Sequence, residues 1–122
     1  APGINLVKGE VATENGVPVL RGDGIVLPLP PTARLESGQK IVYGIRPEHL
    51  TPSPNGSGIP AKVMVVEPTG PETHVYSDLA GIEVCAVSRD RLEFAPGDDI
   101  RLTPMPERLH LFDQATGKVI AR

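Results

Sequence analysis

Lys40-Ile41-Val42-Tyr43-Gly44-Ile45-Arg46-Pro47-Glu48-His49-Leu50 is the stretch from which the fold can be read. Side chains alternate across a strand, so Ile41, Tyr43 and Ile45 share one face of Lys40–Ile45. The strand runs into Pro47, whose missing amide hydrogen and fixed φ suit the first position of a helical turn. Pro47 to Leu50 is expected to make one such turn. Glu48 then falls in the first turn, where the backbone dipoles favour negative charge. Arg46 carries a rigid guanidinium fork that can pair with a carboxylate or cap loop carbonyls. Two readings follow: a barrel corner stapled by Arg46 and Glu48, or a ligand or partner surface.

Short β-type stretches bounded by turn signals recur outward from this corner, the pattern of an all-β sandwich or barrel. Asn5–Val11, Ile25–Leu29, Ala61–Glu67, Ile100–Leu102, Leu109–Phe112 and Lys118–Ala121 read as strands. Glu72–Leu79 and Ile82–Val87 read as a hairpin around Ala80-Gly81. In its second arm Ile82, Val84 and Ala86 share one face, and Glu83, Cys85 and Val87 the other. Gly22-Asp23-Gly24 reads as a hairpin turn, Gly97-Asp98-Asp99 as a turn into a strand, and Asp113–Gly117 as the last hairpin loop. Thr51–Pro60 reads as a surface loop. The expected fold is all-β, with about eight or nine short strands in one domain spanning residues 1–122.

Composition agrees. The 122 residues include 14 Pro and 13 Gly, which works against long helices. A protein of this size buries roughly two thirds of its unfolded surface and can build a core without metal or disulfide. A net charge of −3, with 2 Tyr, 2 Phe and no Trp, argues against nucleic-acid binding, which draws on positive charge and stacking surfaces. Cys85 is the only cysteine, so no internal disulfide forms, which fits a reducing cytoplasm. No apolar run approaches the roughly 18 residues of a membrane span. The start lacks the basic and apolar stretches of a secretion signal. It also lacks an initiator methionine, as an excised piece of a longer protein would.

Sites of chemistry are sparse. His49, His74 and His110 are far apart and have no metal-ligand spacing. Cys85 sits mid-strand as a small hydrophobe, without an activating base in view. Glu67 with Glu72, or Asp98 with Asp99, are pairs of the kind that general acid–base catalysis uses, and also ordinary turn and strand carboxylates. The phosphate loop Gly-x-x-x-x-Gly-Lys-Ser/Thr is absent. No catalytic, cofactor-binding or metal-binding residue is assigned.

Five segments in order resemble the transport-associated OB region of sugar-importer ABC ATPases of the maltose and glycerol-3-phosphate types. They are Asn5-Leu6-Val7-Lys8-Gly9, Gly44-Ile45-Arg46-Pro47-Glu48-His49-Leu50, Val65-Val66-Glu67-Pro68-Thr69-Gly70-Pro71-Glu72-Thr73, Pro96-Gly97-Asp98 and Leu109-His110-Leu111-Phe112-Asp113-Gln114-Ala115-Thr116-Gly117. The resemblance covers nearly the whole sequence. It implies OB-like barrels, two small ones with interleaved strands, in a C-terminal regulatory domain that holds two ATPase subunits together. It implies as partners a second copy of the subunit, its own nucleotide-binding domain, the membrane permease subunits through that domain, and a regulatory protein in some members. It places the complex on the cytoplasmic face of the plasma membrane. ATP and Mg would belong to the nucleotide-binding domain, which is absent from these 122 residues, so this domain is expected to bind neither and to turn nothing over. Arg46, Pro47, Glu48, His49, Glu67, Gly70 and Glu72 are the signature positions expected at an interface or ligand. A second reading is an oxyanion sensor using Arg46, His49 and backbone amides. A third is an oligonucleotide-binding barrel, against which charge and composition speak.

Overall fold

A computed structural model describes residues 3–90 and 93–121. Eleven strands run through the described residues: β1 Asn5–Glu14, β2 Val17–Gly22, β3 Ile25–Pro28, β4 Lys40–Ile45, β5 Leu50–Ser53, β6 Ile59–Pro68, β7 Thr73–Leu79, β8 Ile82–Ser88, β9 Asp99–Pro104, β10 His110–Asp113 and β11 Val119–Ala121. Single 3-10 turns occupy Pro47–His49 and Pro106–Arg108. No helix among the described residues is long and apolar enough to cross a membrane. The protein forms two compact units, each built from separated segments: residues 3–5 with 46–104, and residues 6–45 with 105–121.

The first unit is a five-stranded antiparallel sheet in the order β5-β9-β6-β7-β8. Its edge strands β5 and β8 pack against each other, so the sheet curls into a barrel. Val63, Val75, Leu79, Val84, Ala86, Ile100 and Leu102 fill its interior. A large apolar side group contributes about 1.5–3 kcal/mol when buried. Along β7, buried Val75, Ser77 and Leu79 alternate with more exposed His74, Tyr76 and Asp78, the period-two pattern expected of the hairpin. β6 carries a bulge between Val63 and Val65, which turns Met64 and Val65 outward together.

The second unit is a six-stranded sheet in the order β11-β10-β4-β1-β2-β3. The Tyr43 hydroxyl on β4 donates to the Pro28 carbonyl on edge strand β3 at 3.3 Å, reaching past two intervening strands, so this sheet is curled as well. Burial raises the Tyr43 phenol far above its ordinary range. Ile41, Tyr43 and Ile45 are all buried, as the alternation along Lys40–Ile45 requires.

Two strands depart from expectation. Val17–Gly22 is β2, although it includes Pro18. Proline lacks the amide that a central strand needs, but β3 pairs only with Val19–Gly22. At Pro18 the strand has β1 alone as neighbour, and no ladder bond is lost. The loop expected over Thr51–Pro60 shrinks to residues 54–58, because Leu50–Ser53 pairs with β9 and β6 begins at Ile59. Pro52 is accommodated because β5 is an edge strand of its sheet. The turns at Asp23-Gly24, Ala80-Gly81 and Asp113–Gly117 join strands as expected.

Candidate functional site

All seven signature residues lie in the first unit. They form two groups, which no hydrogen bond or ion pair joins among the described residues.

The first group is the corner after β4. Pro47 is buried and starts the 3-10 turn, as its fixed φ favours. The turn packs on β8. The expected staple is not there: Arg46 and Glu48 are both exposed, and among the described residues neither makes an ion pair. Local backbone holds the corner instead. His49 N–H donates to the Arg46 carbonyl at 2.9 Å and Leu50 N–H to the Pro47 carbonyl. These two amides are therefore spent within the turn and do not face outward to cradle an oxyanion. His49 is half-buried, with Nδ1 inaccessible and unpartnered. The side groups that the corner leaves exposed are Arg46 and Glu48, one cation and one anion two residues apart.

The second group sits at the β6–β7 turn. Thr69 N–H donates to the Glu72 carbonyl at 2.9 Å and closes the turn. Gly70 has φ +95, a left-handed backbone that glycine adopts without steric cost. Glu72 is the hub: Oε2 lies 3.2 Å from Arg89 Nη2, and Oε1 lies 3.5 Å from His74 Nε2. The His74 contact becomes an ion pair only when the imidazole is protonated. Glu67 stands opposite His74 across the β6–β7 ladder. In the β7–β8 ladder Tyr76 faces Cys85. Desolvation, then Cys85 and Glu67, raise the Tyr76 phenol, while burial pushes the Cys85 thiol up to about 11. A thiol held there is largely protonated at neutral pH and is a poor nucleophile.

Arg89 and Tyr76 did not stand out in sequence. The hairpin centred on Ala80-Gly81 pairs Thr73 with Ser88, and continuing that register by one residue sets Glu72 beside Arg89, so the signal was present. The other carboxylates serve the scaffold. Asp98 Oδ2 accepts from Ala95 N–H at 2.9 Å, and Asp99 pairs with Lys62 at 3.5 Å. Among the described residues no group of three His, Cys, Asp or Glu side groups is placed to hold a metal ion.

Two curled sheets, each assembled from separated segments and presenting charged corners, define a small OB-like barrel module. The TOBE domain family matches residues 43–112, and the MalK OB fold domain family matches residues 1–50. The chain belongs to the TOBE domain family. It is 45% identical to an ABC transporter ATP-binding protein, y4oS, of Sinorhizobium fredii, over 99% of its own length and 32% of that protein. It is 38% identical to the sn-glycerol-3-phosphate import ATP-binding protein UgpC 2 of Agrobacterium fabrum, over 98% of its own length and 32% of that one. To the sulfoquinovosyl glycerol transport ATP-binding protein SmoE of the same organism it is 32% identical, over 98% and 34%. The sequence thus spans about a third of the length of these relatives. Among solved structures, the cytoplasmic molybdate-binding protein ModG with molybdate bound superposes with a TM-score of 0.67 at 17% identity, covering 88% of this protein and 94% of ModG. That likeness is one of fold.

Proposed function

We propose that this protein is the C-terminal regulatory domain of the ATP-binding subunit of an ABC importer for sugars or glycerol phosphate, and that it holds two such subunits together while their catalytic ends part and rejoin. The observation that carries this reading is its end-to-end match to one third of several ABC-transporter ATP-binding proteins. Nucleotide and magnesium would then be bound by the remaining part of the subunit, and ATP hydrolysis would take place there. The cargoes for which the relatives are named, sn-glycerol-3-phosphate and sulfoquinovosyl glycerol, support a polyol or sugar-like substrate. The working place would be the cytoplasmic face of the membrane, beside permease subunits.

A domain with this task needs rigidity and an exposed patch that fits its own copy, since a two-fold interface brings the same residues together from both sides. A curled sheet packed around one core supplies the rigidity. The exposed Arg46 and Glu48, of opposite sign on one turn, suit such self-complementary pairing, each finding the other's mate across a two-fold axis. The test is made in the complete ATP-binding subunit. Arg46→Glu should weaken nucleotide-free subunit pairing, and Arg46→Glu with Glu48→Arg should restore it by inverting both signs together. Pairing that is indifferent to both variants would remove the corner from the interface.

A further inference from the structure

Two Asn-Gly pairs occur in the sequence, Asn15-Gly16 and Asn55-Gly56, and the fold holds them in different ways. We infer that Asn55 is a site of spontaneous covalent modification, where the protein's own backbone converts the side-group amide into a carboxylate, and that Asn15 is protected from the same reaction. The substrate is the Asn55 amide and the co-reactant is water. The Gly56 nitrogen gives up its proton to solvent base and attacks Cγ of Asn55. A new bond forms between that nitrogen and Cγ, the bond from Cγ to Nδ2 breaks, and ammonia leaves with a proton from solvent. Water then opens the cyclic imide at either carbonyl. The products are aspartate or its isomer with the backbone routed through the former side group. Glycine makes the approach accessible because it places no Cβ in the way.

Asn15 has φ +51 and Gly16 φ +78. They form the two-residue turn between the paired residues Glu14 and Val17. Positive φ at both positions defines the mirror-image turn that matches strand twist, in which ψ of the first turn residue is small and positive. That ψ directs the Gly16 nitrogen away from the Asn15 Cγ. Ring closure there requires a large rotation about ψ, which opens the end of the β1–β2 hairpin.

Asn55 is held by no strand pairing; its restraint is local, its N–H donating to Ser53 Oγ at 3.4 Å. It lies exposed in residues 54–58, outside the strands. The space around Gly56 is open, as it is around Gly16, with no atom within 4 Å of a Cβ built at either, so the difference between the two sites lies in the strand pairing that holds Asn15 and not in crowding. The Ser53 hydroxyl donates to the Asn55 carbonyl oxygen at 2.7 Å. That carbonyl and the Gly56 nitrogen are one peptide group, conjugated by amide resonance. When the nitrogen deprotonates, charge spreads onto the oxygen, and a hydrogen bond to an ionised acceptor is stronger than one to a neutral acceptor. Ser53 therefore favours the nucleophilic form. Asn55 also lines an open groove with Asp99 and Arg101, so conversion adds one negative charge to a surface that already carries both signs.

The test is a time course of the folded protein at physiological temperature in neutral and mildly alkaline buffer, read by peptide mapping in a mass spectrometer. Asn55 should convert several-fold faster than Asn15, with both faster at the higher pH. In denaturant the two rates should converge. Ser53→Ala should slow Asn55 by roughly threefold to tenfold, the rate equivalent of one hydrogen bond, and leave Asn15 unchanged. Asn15 keeping pace with Asn55 in the folded protein would overturn the inference without recourse to any variant. An unchanged Asn55 rate in a folded Ser53→Ala variant would overturn the role given to Ser53.

Discussion

The side-group amide of Asn5 makes a two-way pair with the backbone of Cys85, 80 residues further on: Nδ2 donates to the Cys85 carbonyl at 2.8 Å, and Oδ1 accepts its N–H at 2.8 Å. Asn5 thereby imitates a ladder neighbour on β8, an edge strand of its sheet order. Both residues are buried. Asn5→Ala removes both bonds and strands a buried donor and acceptor, which should cost about 2–4 kcal/mol. Urea unfolding reads this as a lower midpoint at unchanged slope. A midpoint equal to that of the parent protein would show that Cys85 has other partners.

Gly9, in the same Asn-Leu-x-x-Gly stretch, is required for a different reason. A Cβ there would sit 2.8 Å from Leu20 Cδ1 and 2.9 Å from the Arg21 carbonyl oxygen. Leu20 is fully buried and the carbonyl is backbone, so neither yields readily. Gly9→Ala should destabilise by about 1–3 kcal/mol through overpacking, while Gly16→Ala, at an open position with φ +78, should cost about 1–2 kcal/mol from backbone strain alone. A second substitution, Leu20→Val, should recover part of the loss at Gly9→Ala and none at Gly16→Ala, which thermal melts of the single and double variants would distinguish.

Ala80 has φ +50 in the turn between β7 and β8, a left-handed conformation that costs an alanine roughly 1–2 kcal/mol. The turn persists because Gly81 N–H donates to Asp78 Oδ1 at 2.7 Å and both flanking strands are fully paired. Ala80→Gly should therefore stabilise the protein, by up to about 1 kcal/mol once glycine's larger unfolded-state entropy is subtracted. Asp78→Ala should destabilise by a similar amount. A lower melting temperature for Ala80→Gly would contradict the strain.

Asp113 Oδ1 accepts from Thr116 N–H at 2.9 Å, Ala115 N–H at 3.0 Å and the Thr116 hydroxyl at 3.2 Å. These bonds, the Thr116 amide foremost, lower its carboxyl below the ordinary value. A depressed folded pKa stabilises above the unfolded value, near about 3.9, and that contribution is lost as pH falls through the folded value. The carboxyl resonance of Asp113 should titrate below that of an unstructured aspartate, and Thr116→Val should move it up. The site is exposed, so the loop between β10 and β11 should loosen in acid before the barrels unfold.

The legible parts of the fold were those with local causes. Alternation of apolar residues gives Lys40–Ile45 and the β7–β8 hairpin, and Pro47 marks its own turn. Val17–Gly22 was obscured by Pro18, because only the pairing reveals that β3 stops short of it. The Asn15-Gly16 pair, with positive φ at both residues, is the local signal that joins β1 to β2. At the candidate site, Glu67, Gly70 and Glu72 were named from their motif, and the structure shows Glu72 tied to Arg89 and His74. The Arg46–Glu48 staple failed because nearness in sequence does not set the direction of a side group, and both project into solvent. The Asn5–Cys85 clamp depends on a reversal over most of the sequence, which no local pattern encodes.

The pairing of two subunits through this domain is tested most directly by sedimentation of the 122-residue protein across a wide concentration range. The account predicts a reversible dimer whose fraction rises with concentration, is reduced by Arg46→Glu, and recovers when Glu48→Arg is added. A strict monomer at the highest attainable concentration would contradict intrinsic pairing.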